Sequence, residues 1–103
     1  MDAKSCTLDR YVVEALMRDL VGHDRRPSAY LVYLAVSAAA GEGRAWLSLA
    51  QLAEHTGLSK RAVQDAVKHL VRRGLLAVSR DGQTETPRYE ALKPWRRPSS
   101  AGF

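Results

Sequence analysis

Internal disulfides are excluded, because the 103 residues include one cysteine, Cys6. A lone thiol suits a reducing compartment, and a cytoplasmic location is the expectation. No apolar run is long enough for a bilayer. The longest, AYLVYLAVSAAA, is interrupted by Ser37 and falls short of the roughly 20 residues that a spanning helix needs. The opening MDAKSCTLDR lacks the apolar core of a secretory leader. Catalytic signatures are missing too: there is no P-loop, GxSxG or HExxH, and no carboxylate pair placed for acid–base work. His23, His55 and His69 are scattered without a ligand partner at metal spacing, and each reads as a surface or helix-end residue. The sequence therefore calls for no enzyme, no metal or cofactor, and no small-molecule ligand. Repeats and low-complexity tracts are also lacking.

What the chain does have is charge, unevenly placed. The net charge is +5. Residues 1–58 hold six Lys/Arg against seven Asp/Glu, whereas residues 59–103 hold ten against four. The basic excess lies wholly in the second part. Such asymmetry points to a polyanionic partner, nucleic acid ahead of a membrane surface. A solvated basic surface would give the same totals. With 46% hydrophobic and 26% charged residues, the composition suits one small domain. A domain of this size hides limited surface, which favours a partner subunit.

The periodicity predicts four helices and a hairpin. From Asp9, the apolar residues Val12, Val13, Leu16, Met17 and Leu20 recur at helical spacing, and Gly22 ends the pattern. Pro27 and Ser28 start a second helix, with Ser28 as the expected N-cap and Tyr30, Leu31, Leu34, Ala35 and Ala38 as its buried positions. GEG at 41–43 stops it, and Ala45–Leu47 is extended. Ser48 and Gln51 form a capping box for a third helix over about 49–55, with Leu49, Leu52 and Ala53 inward. Gly57 supplies a tight turn, and Leu58 plugs it. Ser59 caps a fourth helix over about 60–73, stopped by Gly74. Leu75–Arg80 and Arg88–Leu92 read as strands around an Asp81-Gly82 turn. The domain plan is an N-terminal helix and connection at 1–27, a core domain at 28–93 and a basic, flexible tail at 94–103.

Two short helices joined by a few residues, the second longer, form a helix-turn-helix. A strand hairpin directly after it adds a wing. Residues 46–92, and the stretch LSLAQLAEHTGLSKRAVQDAVKHLVRRGLL in particular, resemble bacterial winged helix-turn-helix domains of the MarR-like, GntR-like and plasmid replication-initiator kinds. RPSAYLVYLAVSAAAGEG resembles the helix that opens such domains. The resemblance implies a mainly α fold with a small β hairpin, a recognition helix at 60–73 and a wing near 79–88.

The helical wheel supports the same reading. Val63, Ala66, Val67 and Leu70 cluster on one side of the fourth helix; Arg61, Asp65, Lys68 and Arg72 lie opposite, with Gln64 on the flank. Arg61 and Gln64 are the candidates for base edges, since arginine matches guanine and glutamine matches adenine. Ser59, Lys60, Lys68 and Arg72 are candidates for the phosphate backbone. In the wing, Arg80, Gln83, Thr84 and Arg88 surround the turn and could enter a narrow minor groove. Asp65 departs from the pattern. It could accept from cytosine, but an ion pair with Arg61 or Lys68 is the preferred reading. Tyr89 is expected to pack inward. Trp95, beside Lys93, Arg96 and Arg97, either stacks on a base or, as is commoner, pins the tail to the core.

The face made by Val12, Val13, Leu16, Met17 and Leu20 has two candidate owners: the second helix of the same chain, or a second copy in a homodimer. Two recognition helices one DNA turn apart would read a palindrome. The expected function is sequence-specific binding of double-stranded DNA as a small transcriptional regulator. The alternatives are a plasmid or phage replication or partition protein, and a winged helix that serves as a protein-interaction module.

Overall fold

The computed structural model describes residues 5–82 and 86–96. The chain begins with a helical segment that winds wider than an α-helix, in two π-helical stretches, Val12–Leu16 and Arg18–His23. Then follow α1 (Pro27–Ala40), β1 (Ala45–Trp46), α2 (Leu49–Thr56), α3 (Lys60–Arg72), β2 (Leu76–Ser79) and β3 (Arg88–Ala91). The three strands form one antiparallel sheet in the order β1-β3-β2. Ala45 stands opposite Tyr89, and Val78 pairs with Tyr89 from the other side. The returning strand is thus central, and both the segment before α2 and the strand after α3 lean on it.

Local chemistry explains most helix ends. The Ser48 hydroxyl accepts from Gln51 N at 3.0 Å while the Gln51 side chain accepts from Ser48 N at 2.8 Å, the reciprocal cap expected from the spacing. Gly57 closes α2 with φ 79°, a conformation that costs other residues about 1 kcal/mol or more. After α3, the N–H of Leu75 reaches Leu70 O at 2.9 Å and that of Gly74 reaches Val71 O at 3.0 Å. That is a Schellman ending, completed by burial of both Leu75 and Leu70. The helix proper ends at Arg72, with Arg73 as its cap and Gly74 beyond.

Two expectations about α1 are corrected. Arg26, not Ser28, is its N-cap, because Pro27 occupies the first helical position, where its missing N–H costs nothing. The buried face is Ala29, Tyr30, Val32, Tyr33 and Val36, with Ser37, whereas Leu31 and Ala38 are exposed. A helix with no charged residue between Pro27 and Ala40 offers its sequence no polar side from which to tell in from out.

One hydrophobic core unites these elements. Tyr33, Leu52, Val63 and Leu70 are wholly buried in it, and Leu20 joins from the N-terminal helix. Two tyrosines brace α1: Tyr33 Oη donates to Leu92 O just past β3, and Tyr30 Oη donates to Val12 O, both at 2.9 Å. Burial pushes the Tyr33 phenol up to about 12, so it remains a donor at any ordinary pH. The architecture is mainly α with a small antiparallel sheet, a winged helix-turn-helix fold.

The face expected to serve a homodimer is divided. Val12, Leu16 and Leu20 are at most 2% exposed within the single chain, while Val13 is 53% and Met17 39% exposed. The first three therefore belong to the core of their own chain, one of the two owners weighed for this face. Successive helical residues point roughly 100° apart, so one packing surface covers one column and leaves its neighbour outside.

Candidate nucleic-acid interface

The site is built on α3. Its inner face, Val63, Ala66 and Leu70, is buried against the core, and this anchorage turns the remaining side chains outward. Lys60, Arg61, Gln64, Asp65, Lys68 and Arg72 are all exposed. Among the described residues, no ion pair involves Lys60, Arg61, Asp65, Lys68 or Arg72. The preferred reading of Asp65 is thereby corrected: it neutralises neither Arg61 nor Lys68. Ser59 serves as the N-cap, its hydroxyl accepting from Ala62 N at 3.0 Å, so only its O–H is left to donate to a phosphate.

Helical geometry divides the predicted residues between two neighbouring columns. Lys60, Gln64 and Lys68 line a groove of about 530 Å³ that α3 shares with the start of α2 and the wing. Arg80, Tyr89 and Pro87 line the opposite wall, and Leu49, Val67 and Val78 complete it. Arg61 and Arg72 lie outside this groove, further round the helix. One candidate for base edges, Gln64, thus stands with two backbone candidates and one wing arginine, while the other, Arg61, stands apart.

The wing is described only in part, and Gln83 and Thr84 lie outside the described residues. Arg88 is corrected from a free wing cation to a tethered one: its Nη2 meets Asp81 Oδ1 at 2.8 Å, and its guanidinium lies 5.6 Å from the centre of the Trp46 ring. Arg80 is exposed beside Tyr89. Burial raises the Tyr89 phenol, as expected for a side chain that packs inward, and the Arg80 charge opposes the rise.

Several polar residues belong to the scaffold. Trp95 stacks on Tyr11 with ring centroids 4.6 Å apart and donates from Nε1 to Asp9 Oδ2 at 2.7 Å. Arg96 binds Asp9 and Glu42 together. Trp95 therefore pins the start of the tail, the commoner of the two readings weighed for it, and Arg97 lies outside the described residues. Hydrogen bonds from Arg96 and Trp95 lower the Asp9 pKa to about 2.

A second cluster was not foreseen. Asp24 accepts from His69 Nε2 at 2.7 Å, meets His23 at 3.0 Å and Arg73 Nε at 3.0 Å, and Arg73 also binds Asp19. Burial pushes the Asp24 carboxyl up, but the bonds from His69 and His23 and the Arg73 charge outweigh it and hold the group below its ordinary value. Of the histidines, each read as a surface or helix-end residue, His69 does stand in the last turn of α3 but is largely buried, with only 14% of its side chain exposed. Donor atoms of Asp19, His23 and Asp24 lie within 4.8 Å of one another, yet Arg73 already pairs with both carboxylates. Asp19, His23 and Asp24 are close in sequence, but no local signal could have joined them to His69 and Arg73, which lie 45 and more residues away.

Residues 26–76 match a family model described as Helix-turn-helix domain. The matched span holds α1, α2 and α3 and closes as β2 begins. No curated protein and no solved structure matches the chain. Among the described residues, no helix is long and apolar enough to cross a membrane.

Proposed function

We propose that this chain, whose residues 26–76 match a helix-turn-helix domain, is a sequence-specific double-stranded DNA-binding protein and acts as a small transcriptional regulator. Helix-turn-helix domains suggest DNA binding as a class. The observation that carries the reading here is the outward face of α3, where Lys60, Arg61, Lys68 and Arg72 are exposed and carry no carboxylate partner among the described residues. A cation already paired within its own protein gains little from a phosphate, whereas these four release counterions from the duplex on contact. The major groove, about 12 Å wide, admits one helix. In this docking Arg61 and Gln64 meet base edges, Lys60, Lys68 and Arg72 meet phosphates with Ser59, and Arg80 follows the flanking backbone or minor groove.

Fluorescence anisotropy with random duplex DNA at two salt concentrations tests the class of partner. Binding that weakens steeply with salt supports DNA. A flat, salt-independent signal would replace this reading with a protein-interaction module. Selection from random duplexes then tests sequence specificity. A selected site in a promoter fits a regulator, and one in a replication origin assigns the same contacts to replication or partition. Pairing of two copies would fall to Val13 and Met17, the exposed part of the expected face, and sedimentation velocity measures it.

A further inference from the structure

We infer that Asp19, His23 and Asp24 form a binding site for a divalent transition-metal ion of the zinc kind, where the N-terminal helix ends against α3. The site goes beyond the function proposed above and does not depend on it.

The wide winding of the N-terminal helix creates the site. Asp24 N donates to Asp19 O at 2.8 Å, five residues back, the closure that defines a π-helix. In an α-helix, at about 100° per residue, Asp24 would point about 140° away from Asp19. Here Asp19, His23 and Asp24 share one side, and a donor atom from each lies within 4.8 Å of the other two. His23 Nδ1 stands 3.0 Å from Asp24 Oδ1 and 3.8 Å from Asp19 Oδ1. A zinc ion about 2.1 Å from each donor needs donors roughly 3–4 Å apart, so small side-chain rotations admit it.

The ion pairs already present do not use these oxygens. Arg73 binds Asp19 and Asp24 through Oδ2 of each, and His69 Nε2 meets the same Oδ2 of Asp24. The Oδ1 atoms face His23 instead. Each carboxylate can thus serve an ion with one oxygen while the other stays anchored, and such outer hydrogen bonds orient metal ligands. Charge favours the ion as well. Among the described residues, Arg73 is the only arginine or lysine paired with the two carboxylates, and the helix C-terminus beside them adds partial negative charge.

The donor set selects among cations. One imidazole with two carboxylates suits zinc, nickel or cobalt better than magnesium or calcium, which favour oxygen alone. The His23 side chain is 82% exposed, so water reaches the ion and fills its remaining positions. Against an ionised carboxylate, which only accepts, His23 Nδ1 carries the proton. On binding, that proton passes to solvent and the ion takes its place between ring and carboxylate. The metal then fastens the end of the N-terminal helix through the same two side chains that hold the end of α3.

Isothermal titration of the full, untagged chain with ZnCl2 and with MgCl2 tests the site. Zn²⁺ should bind one-to-one and Mg²⁺ should give no saturable heat. His23→Ala, a change at an exposed position, should weaken Zn²⁺ binding by roughly tenfold or more. Cys6→Ser and His55→Ala remove exposed donors outside the cluster and should bind Zn²⁺ as the parent does. With free Zn²⁺ at about a hundred times Kd, the melting temperature of the parent should rise by about 10 °C or more, and His23→Ala should shrink that rise. Absence of one-to-one binding, equal affinity for Mg²⁺, or unaltered affinity in His23→Ala would overturn the site. So would loss of binding in Cys6→Ser or His55→Ala, or binding without any rise in melting temperature. A protein that passes these tests and binds no duplex would lose the DNA function and keep the metal site.

Discussion

Two parts of the molecule carry dense positive charge and treat it in opposite ways. At the end of α3, Arg73 and His69 are gathered onto Asp24 and Asp19, and across the fold Arg96 is gathered onto Asp9 and Glu42. On the outer face of α3, Arg61, Lys68 and Arg72 stand in solvent with no such partner among the described residues. Arg72 and Arg73 are consecutive, yet one faces water and the other closes a clamp. The difference lies in what each neighbouring element presents. The N-terminal connection brings two aspartates to one end of α3, and among the described residues no carboxylate is brought into an ion pair on the exposed face. Charge count alone therefore says little about function in this chain; the distribution of acidic partners says more.

That contrast can be broken from either side. The largest effect expected is from Asp24→Ala, which leaves His69 and Arg73 without their shared carboxylate. Loss of one partner from a mostly buried ion pair costs about 3–5 kcal/mol, and urea unfolding should show a loss toward the lower end, since half of the clamp, Arg73 with Asp19, survives. Under folding conditions the affinity for duplex should hold. Arg61→Ala should do the reverse: a loss of about 1–3 kcal/mol in specific binding with relaxed preference at one base, and stability within about 0.5 kcal/mol of the parent. Anisotropy against a panel of single-base variants reads the first and thermal melting the second. Lys68→Ala should weaken binding to all sequences alike and reduce the salt slope by about 1; an unchanged slope would remove Lys68 from the backbone contacts.

Acid should loosen the paired regions before the open face. Asp9 has a folded pKa of about 2 against an ordinary 3.8. A group depressed on folding stabilises the fold at pH values above its ordinary pKa, and that contribution is lost as pH falls toward the folded value. The melting temperature should therefore drop between about pH 4 and pH 2, and Asp9→Asn should make that drop shallower while lowering stability at pH 7. The smallest effect expected is from Asp65→Asn. It removes an exposed, unpaired carboxylate from the middle of the cationic face, and non-specific duplex binding at low salt should tighten by a few tenths of a kcal/mol, fading as salt screens it. Weaker binding to one selected site would instead assign Asp65 to a cytosine.

Signals that act over three or four residues were legible in the sequence. The Ser48–Gln51 cap, the Ser59 cap, the Gly57 turn and the apolar column of α3 each depend on neighbours along the chain, and each stands where the spacing put it. The wing's strands were legible for the same reason, as short stretches on either side of a turn signal. The rest depended on distant pairings. The groove is made where the start of α2, one face of α3 and β2–β3 meet, and no single segment announces it. Leu31 was expected inside because α1 is apolar on every side, and only the placement of the neighbouring helices decides which side is covered. Arg88 looked like an available cation until Asp81 and Trp46 were placed around it.

The clamp at the end of α3 has a consequence for how fast and how cleanly this protein can associate. With Schellman closure, His69 and Arg73 all fixing that end, the helix needs no ordering when it meets a partner. The conformational entropy that a looser helix would surrender at the encounter has already been lost during folding, so specificity rests on a rigid template, and contact is governed by diffusion and orientation.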